Sequence, residues 1–243
     1  MKAPRVRQIA GAGEIEKALG CGEDVRLLLV QEDARREDIS RLVLRARELG
    51  IPVRTATRNV VSRLCRVRPA EEILALVGRD PDANLEASLA RRGAFWLLVG
   101  VVYPGNIGMV IRTAEVSGAD AIAIDGEFDH EAKRAALRAS MRADKFMPVY
   151  WRSAASVLDA ACATGHSLLA LDESGDRAPW QLDLSGPRVF VVGGENGGIP
   201  KDVRDRCDAA IRVPMAGFIP CYNLQAAVSA VATERLRQQT CAD

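Results

Sequence analysis

Apolar positions along the chain recur in two spacings that alternate. Val25–Val30 (VRLLLV) is a short apolar run and predicts a buried strand. From Arg36 to Leu49 the apolar residues Ile39, Leu42, Val43, Leu44 and Leu49 fall at helical spacing, and Gly50 followed by Pro52 ends that helix. Ile51–Thr55 reads as a second strand, Asn59–Cys65 as a short helix and Glu72–Val77 as a further strand. This β-α-β alternation predicts a small N-terminal α/β sandwich. The stretch Gly78–Arg92 is polar and contains Asp80-Pro81, so it reads as a linker. The expected domains are therefore residues 1–90 and 91–243.

Ala94–Val102 (AFWLLVGVV) is almost continuously apolar, as a central parallel strand buried on both faces must be. A turn through Pro104-Gly105-Asn106-Ile107-Gly108 leads into an amphipathic helix ending near Ser117, with Asn106 as its expected cap. Strands are expected at 120–124, 167–171, 188–192 and 210–213. Helices are expected at 130–140, 154–163, 201–207 and from Tyr222 to about Gln238. The pattern is that of a doubly wound parallel-sheet α/β domain, which binds ligands at the carboxyl ends of its strands.

Composition narrows the class. Of 243 residues, 48% are hydrophobic and 27% charged, which excludes a disordered or collagen-like chain. No apolar run approaches the roughly 18–20 residues of a membrane span, so no membrane role is expected. Met1 to Glu14 lacks the apolar core of a secretory signal. The six cysteines, Cys21, Cys65, Cys162, Cys207, Cys221 and Cys241, form no CxxC pair, and there are two histidines, His130 and His166. No metal site is expected from them, and scattered cysteines suit a reducing cytoplasm. Net charge is +1, but residues 1–92 carry 18 Lys+Arg against 14 Asp+Glu, whereas residues 93–243 carry 15 against 18. Sixteen of those 18 N-terminal bases are arginine, the better residue for phosphate, but on charge alone a solvated surface is the favoured reading.

Three segments depart from what packing alone requires. Asn106 to Ala114 carries Arg112 on a helix that follows the buried strand; on its own it is a helix with one surface arginine. Val191–Pro200 (VVGGENGGIP) runs from a strand through a glycine-rich loop with Glu195 at its centre. It has no GK[ST] and no dinucleotide fingerprint, so an ordinary nucleotide-dependent enzyme is disfavoured. Glu195 would repel phosphates, and a neutral or cationic ligand such as a sulfonium nucleoside is easier to place there. Val213–Gln225 leaves a strand at Pro214 and enters a helix at Asn223, which suits a cap as well as a site residue. Cys221 reads more readily as a buried small hydrophobe than as a nucleophile.

In order and spacing these segments resemble the three motifs of the SpoU/TrmH family of RNA ribose 2′-O-methyltransferases, within the trefoil-knotted methyltransferase superfamily. The resemblance covers about residues 94–240. Residues 5–90 are similar to the small RNA-binding domain related to kink-turn-binding ribosomal proteins, as in thiostrepton-resistance-type ribosomal-RNA enzymes. The resemblance implies a trefoil-knotted C-terminal domain, S-adenosyl-L-methionine as cofactor, a structured RNA substrate, ribosomal RNA in particular, and a homodimer. It assigns catalytic roles to Arg112, Asn106, Glu195 and Asn223. It assigns cofactor contacts to Gly193, Gly194, Val213, Met215, Tyr222 and Leu171. The family's Ser-Leu-Asn is Cys221-Tyr222-Asn223 here, and its Ser-x-Gly is Ser140-Met141-Arg142. Those departures keep open a catalytically silent RNA-binding protein of the same fold; the N-terminal domain favours ribosomal RNA but leaves open an enzyme acting on transfer RNA.

Overall fold

The computed structural model describes residues 6–240; the first five residues and Cys241 lie outside that range. The chain divides into two compact units, Met1–Pro81 and Asp82–Asp243. That division falls nine residues before the expected boundary, because the helix at Leu85–Ala90 buries Leu85 and Leu89 in the core of the second unit.

The first unit contains β1 (Arg7–Ala10), α1 (Ala12–Gly20), β2 (Val25–Gln31), α2 (Glu37–Glu48), β3 (Val53–Ala56), α3 (Arg58–Leu64) and β4 (Ile73–Val77). Its strands lie in the order β1-β4-β2-β3, with β2 and β3 parallel and the other neighbours antiparallel. Ile15 and Ala18 of α1 and Ile39, Leu42 and Ala46 of α2 are buried with Leu28, Ile73 and Ala75 of the sheet. β1 and α1 were absent from the elements expected from sequence.

The second unit contains α4 (Leu85–Ala90), β5 (Ala94–Val99), α5 (Pro104–Val116), β6 (Ala121–Asp125), α6 (His130–Ala139), β7 (Val149–Trp151), α7 (Ala154–Ala163), β8 (Ser167–Leu171), β9 (Arg188–Gly193), α8 (Lys201–Arg204), β10 (Ala209–Ile211) and α9 (Leu224–Thr240). Six parallel strands run β10-β8-β9-β5-β6-β7. β7 was also missing from the sequence reading.

The continuous apolar run of β5 is explained by its two-residue alternation. Trp96 and Leu98 join Phe190, Val110, Ile111 and Val228 in one core under α5 and α9. Phe95, Leu97 and Val99 join Val157, Leu158 and Val191 in a second core under α4 and α7. Trp96 stacks on Phe190 of β9 with ring centroids 4.7 Å apart.

The sheet grows outward in one direction through β5, β6 and β7 and in the other from β9 to β8 and β10. The order reverses between β5 and β9. That switch point opens a crevice beyond the carboxyl ends of the strands, and the glycine-rich loop leaves the sheet there.

Candidate active site

A cavity of about 810 Å³ lies over the carboxyl ends of β8, β9 and β10, and the start of α9 forms one wall. Its size is ordinary for a pocket holding a nucleoside-sized ligand, for which roughly 300–1,000 Å³ is typical. Leu171, Gly193, Gly194, Val213, Met215 and Tyr222, the six residues expected to hold cofactor, all line it, as do Glu195, Cys221 and Asn223. Sequence reasoning missed Asp172, Glu173 and Arg212, which also line it. Their signal was positional: each lies within two residues of the carboxyl end of β8 or β10.

The glycine-rich loop is tightly folded. Gly194 and Gly198 form an isolated antiparallel bridge, with the Gly198 N–H donating to the Gly194 carbonyl at 3.0 Å. A Cβ on Gly193 would lie 2.1 Å from the Gly198 carbonyl carbon. One on Gly194 would lie 1.9 Å from the Gly100 carbonyl oxygen, just beyond β5. Glycine at 194 therefore lets the chain leaving β9 touch the chain leaving β5 across the switch point.

Asn106 departs from its expected place. Pro104 occupies the first turn of α5 and Tyr103 precedes the helix, so Asn106 lies within the first turn and caps nothing. Its Nδ2 instead donates to Glu195 Oε1 at 2.6 Å. This charge-assisted bond joins the first motif to the second, 89 residues later. Gly105 and Gly108, expected in a turn, are also helical. A Cβ on Gly108 would meet the Ala136 carbonyl oxygen at 2.4 Å, so that glycine brings α5 into backbone contact with α6.

Arg112 is exposed, makes no ion pair or side-chain hydrogen bond among the described residues, and does not line the cavity. Asn223 does cap: its Oδ1 accepts from the Gln225 N–H at 3.0 Å, and α9 begins at Leu224 rather than Tyr222. Tyr222 donates its hydroxyl to the Pro214 carbonyl at 3.2 Å, closing the 214–222 loop on itself. Cys221, expected to be buried, is exposed in that loop.

The cavity is acidic. Asp172, Glu173 and Glu195 face one arginine, Arg212. Burial acts to raise the Asp172 carboxyl, but the Ser174 hydroxyl and N–H bonded to it, with Arg204 at 3.6 Å, outweigh burial and hold it below the usual carboxylate range. Around these charges stand Leu171, Val192, Ile211, Val213, Leu224 and Ala227. Such a lining suits a ligand with an apolar body and positive charge and opposes a phosphorylated one. Among the described residues, no three His, Cys, Asp or Glu side chains cluster to hold a metal ion.

Residues 94–233 match the SpoU rRNA Methylase family model. The chain belongs to the SpoU rRNA methylase family. Membership makes it an RNA methyltransferase by class. Similarity to individual members is distant but spans nearly the whole chain. A Staphylococcus haemolyticus protein, named for the TrmH family of tRNA/rRNA methyltransferases, is 25% identical over 240 residues, covering 95% of each chain. The crystal structure of the SpoU methyltransferase AviRb from Streptomyces viridochromogenes, in complex with AdoMet, superposes with TM-score 0.60 at 26% identity, over 97% of this chain and 91% of that one. A crystal structure of an RNA 2′-O ribose methyltransferase shares the fold at TM-score 0.55 and 24% identity, over 97% and 90% of the two chains.

Proposed function

We propose that this SpoU family member transfers a methyl group from S-adenosyl-L-methionine to a ribose 2′-hydroxyl of structured RNA, ribosomal RNA in particular. One observation carries the reading. The acidic, apolar-walled cavity contains all six residues that the motif resemblance assigns to the donor, and Glu195 on its rim hydrogen-bonds the helix that bears Arg112.

Gly193, Gly194, Leu171, Val213, Met215 and Tyr222 would hold the donor, whose contribution when bound is an electrophilic sulfonium methyl. The carboxylates of Asp172, Glu173 and Glu195 favour its positive charge. Methyl transfer is an in-line displacement, so positioning accounts for much of the rate. Arg112 has its guanidinium uncommitted and stabilises the charge that develops on the attacking ribose oxygen. It does not act as a base, because guanidinium stays protonated in proteins; a substrate phosphate accepts the proton. Glu195 has its second oxygen available to orient the nucleotide. Asn223 uses Oδ1 as a cap and keeps its amide N–H groups for the same purpose.

The first unit is, on this reading, an RNA-binding domain similar to kink-turn-binding proteins. The second is a trefoil-knotted domain, and the enzyme is a cytoplasmic homodimer. Exposed Val102, Tyr103, Met109 and Val116 on and beside α5, and Phe218 and Ile219 in the 214–222 loop, support burial against a second copy.

The test is incubation with labelled S-adenosylmethionine and total RNA, followed by mapping of alkali-resistant positions. Label at a ribose 2′-oxygen of ribosomal RNA is expected. Label only in transfer RNA would reassign the substrate, and RNA binding without donor binding would identify a catalytically silent protein.

A further inference from the structure

Residues 49–70 hold five arginines and no aspartate or glutamate. In the first unit this stretch forms β3, α3 and the turn toward β4. α3 buries a single residue, Val61, so most of its surface faces solvent. Arg58, Arg63 and Arg66 are exposed, and their guanidiniums make no ion pair or hydrogen bond among the described residues. Elsewhere in the same unit arginines do find carboxylates: Arg26 faces Asp24, Arg36 faces Asp38 and Arg45 faces Glu16.

The backbone under the free arginines is fixed. The Gln8 amide on β1 donates to the Leu64 carbonyl and accepts from the Arg66 N–H, both at 3.0 Å. Cys65 between them is buried, and its sulfur accepts from the Glu71 N–H at 3.4 Å. The neighbouring Arg68 donates to the Cys65 and Val67 carbonyls at 2.6 and 2.9 Å. Several like charges on one short segment repel one another, and among the described residues Arg58, Arg63 and Arg66 have no carboxylate partner that offsets it. Exposed guanidiniums without a carboxylate partner suit phosphodiester oxygens, which accept paired N–H donors. Holding the backbone in advance removes part of the ordering cost of binding.

We propose that Arg58, Arg63 and Arg66 form a contact surface for the phosphate backbone of the RNA substrate. The proposal rests on the RNA methyltransferase reading and adds the surface that grips the RNA. Contacts of this kind set position and register and carry no base readout.

The test compares the full chain with two variants of equal charge change, R58Q/R63Q/R66Q and R26Q/R36Q/R45Q. Binding of fluorescently end-labelled, protein-free ribosomal RNA fragments is followed by anisotropy between 50 and 200 mM KCl. Each lost phosphate contact lowers the slope of log affinity against log salt by about 0.7–0.9, so the first variant is expected to lose about two to three in slope. The second variant is expected to stay within about half a unit. Single variants R63Q and R66Q, each expected to lose somewhat under one unit, keep the test decisive if the triple variant does not fold. Calorimetric S-adenosylmethionine binding should be the same in all of them. An unchanged slope in the first variant overturns the proposal and leaves the methyltransferase reading standing. So does an equal loss in both triple variants, or capture by phosphatidylserine vesicles that RNA does not displace. A wild-type chain with no RNA affinity at any salt overturns the RNA reading together with the surface.

Discussion

Substituting Gly194 by alanine isolates one steric contact at the switch point. Gly194 is not among the glycines with positive φ, so alanine there meets no backbone penalty. The added Cβ would stand 1.9 Å from the Gly100 carbonyl oxygen and 2.5 Å from its carbon. Non-bonded carbons prefer roughly 3.5–4.0 Å. Both partners are main chain, so no side chain can swing aside, and relief requires the ends of β5 and β9 to separate by more than about 1 Å. Overpacking of this kind costs about 1–3 kcal/mol, and the rigidity of both partners points to the upper half. For a unit of this size each kcal/mol lowers Tm by about 2–4 °C, so a fall of about 4–12 °C is expected. The same separation moves Glu195 away from Asn106 and opens the cavity rim, so S-adenosylmethionine affinity should fall by at least about tenfold, or roughly 1.4 kcal/mol. Gly197→Ala is the control: a Cβ there meets nothing within 4 Å, and its φ is also not positive. The assay is thermal melting by circular dichroism with calorimetric titration of the donor. The steric account fails if Gly194→Ala melts with the wild type, or if Gly197→Ala loses as much.

Three further outcomes are expected. Arg112→Ala should keep donor affinity and lose methyl transfer by orders of magnitude in a filter assay; near-wild-type turnover would remove Arg112 from the reaction. Asn106→Ala deletes an exposed hydrogen bond to a carboxylate and should lower kcat by at least about tenfold, roughly 1.4 kcal/mol, while the melting temperature stays within a few degrees. Equal loss of activity and stability would make Asn106 a folding residue only. His166 is pushed down to about 4, first by burial and then by the charges of Arg92, Arg235 and Arg188. The unfolded chain, with an ordinary histidine near 6.5, binds the extra proton between those values. Stability from this group is therefore full above about pH 6.5 and is lost as pH falls toward 4, by about 3 kcal/mol at most. Urea midpoints at pH 7, 5 and 4 check this, and His166→Gln should show a shallower loss; parallel losses would refute it.

Elements with a strong pattern were legible in the chain. β5 and α2 lie close to their expected positions because an unbroken apolar run and a 3.6-residue repeat have few alternative readings. β1 and β7 were not legible. Each is an edge strand of four or three residues with little buried surface, too short to display alternation. α1 begins at Ala12, and Gly11 before it offers no side-chain cap, so the usual start signal is missing. Asn106 lies inside α5 rather than at its cap because Pro104, a start signal in its own right, opens the helix two residues earlier. The six cavity residues assigned to the cofactor were legible through the motif resemblance, whereas Asp172, Glu173 and Arg212, at the ends of β8 and β10, were not. The bond from Asn106 to Glu195 was not, since it depends on β5 and β9 being neighbours. No local pattern encodes that pairing.

The cavity is lined by residues 171–173, 192–199, 211–213, 215, 220–224 and 227, which arrive in that order during synthesis. A chain emerging from its N-terminal end therefore has the first unit and five of the six parallel strands before any place for the donor exists. Parallel pairing over long sequence separations is slow, and partly built sheets expose apolar surface while they wait. Donor binding stabilises by mass action only molecules that have finished this process. In a cell rich in S-adenosylmethionine, finished enzyme would outlast its own intermediates under proteolysis, and ligand-dependent survival would count completed molecules.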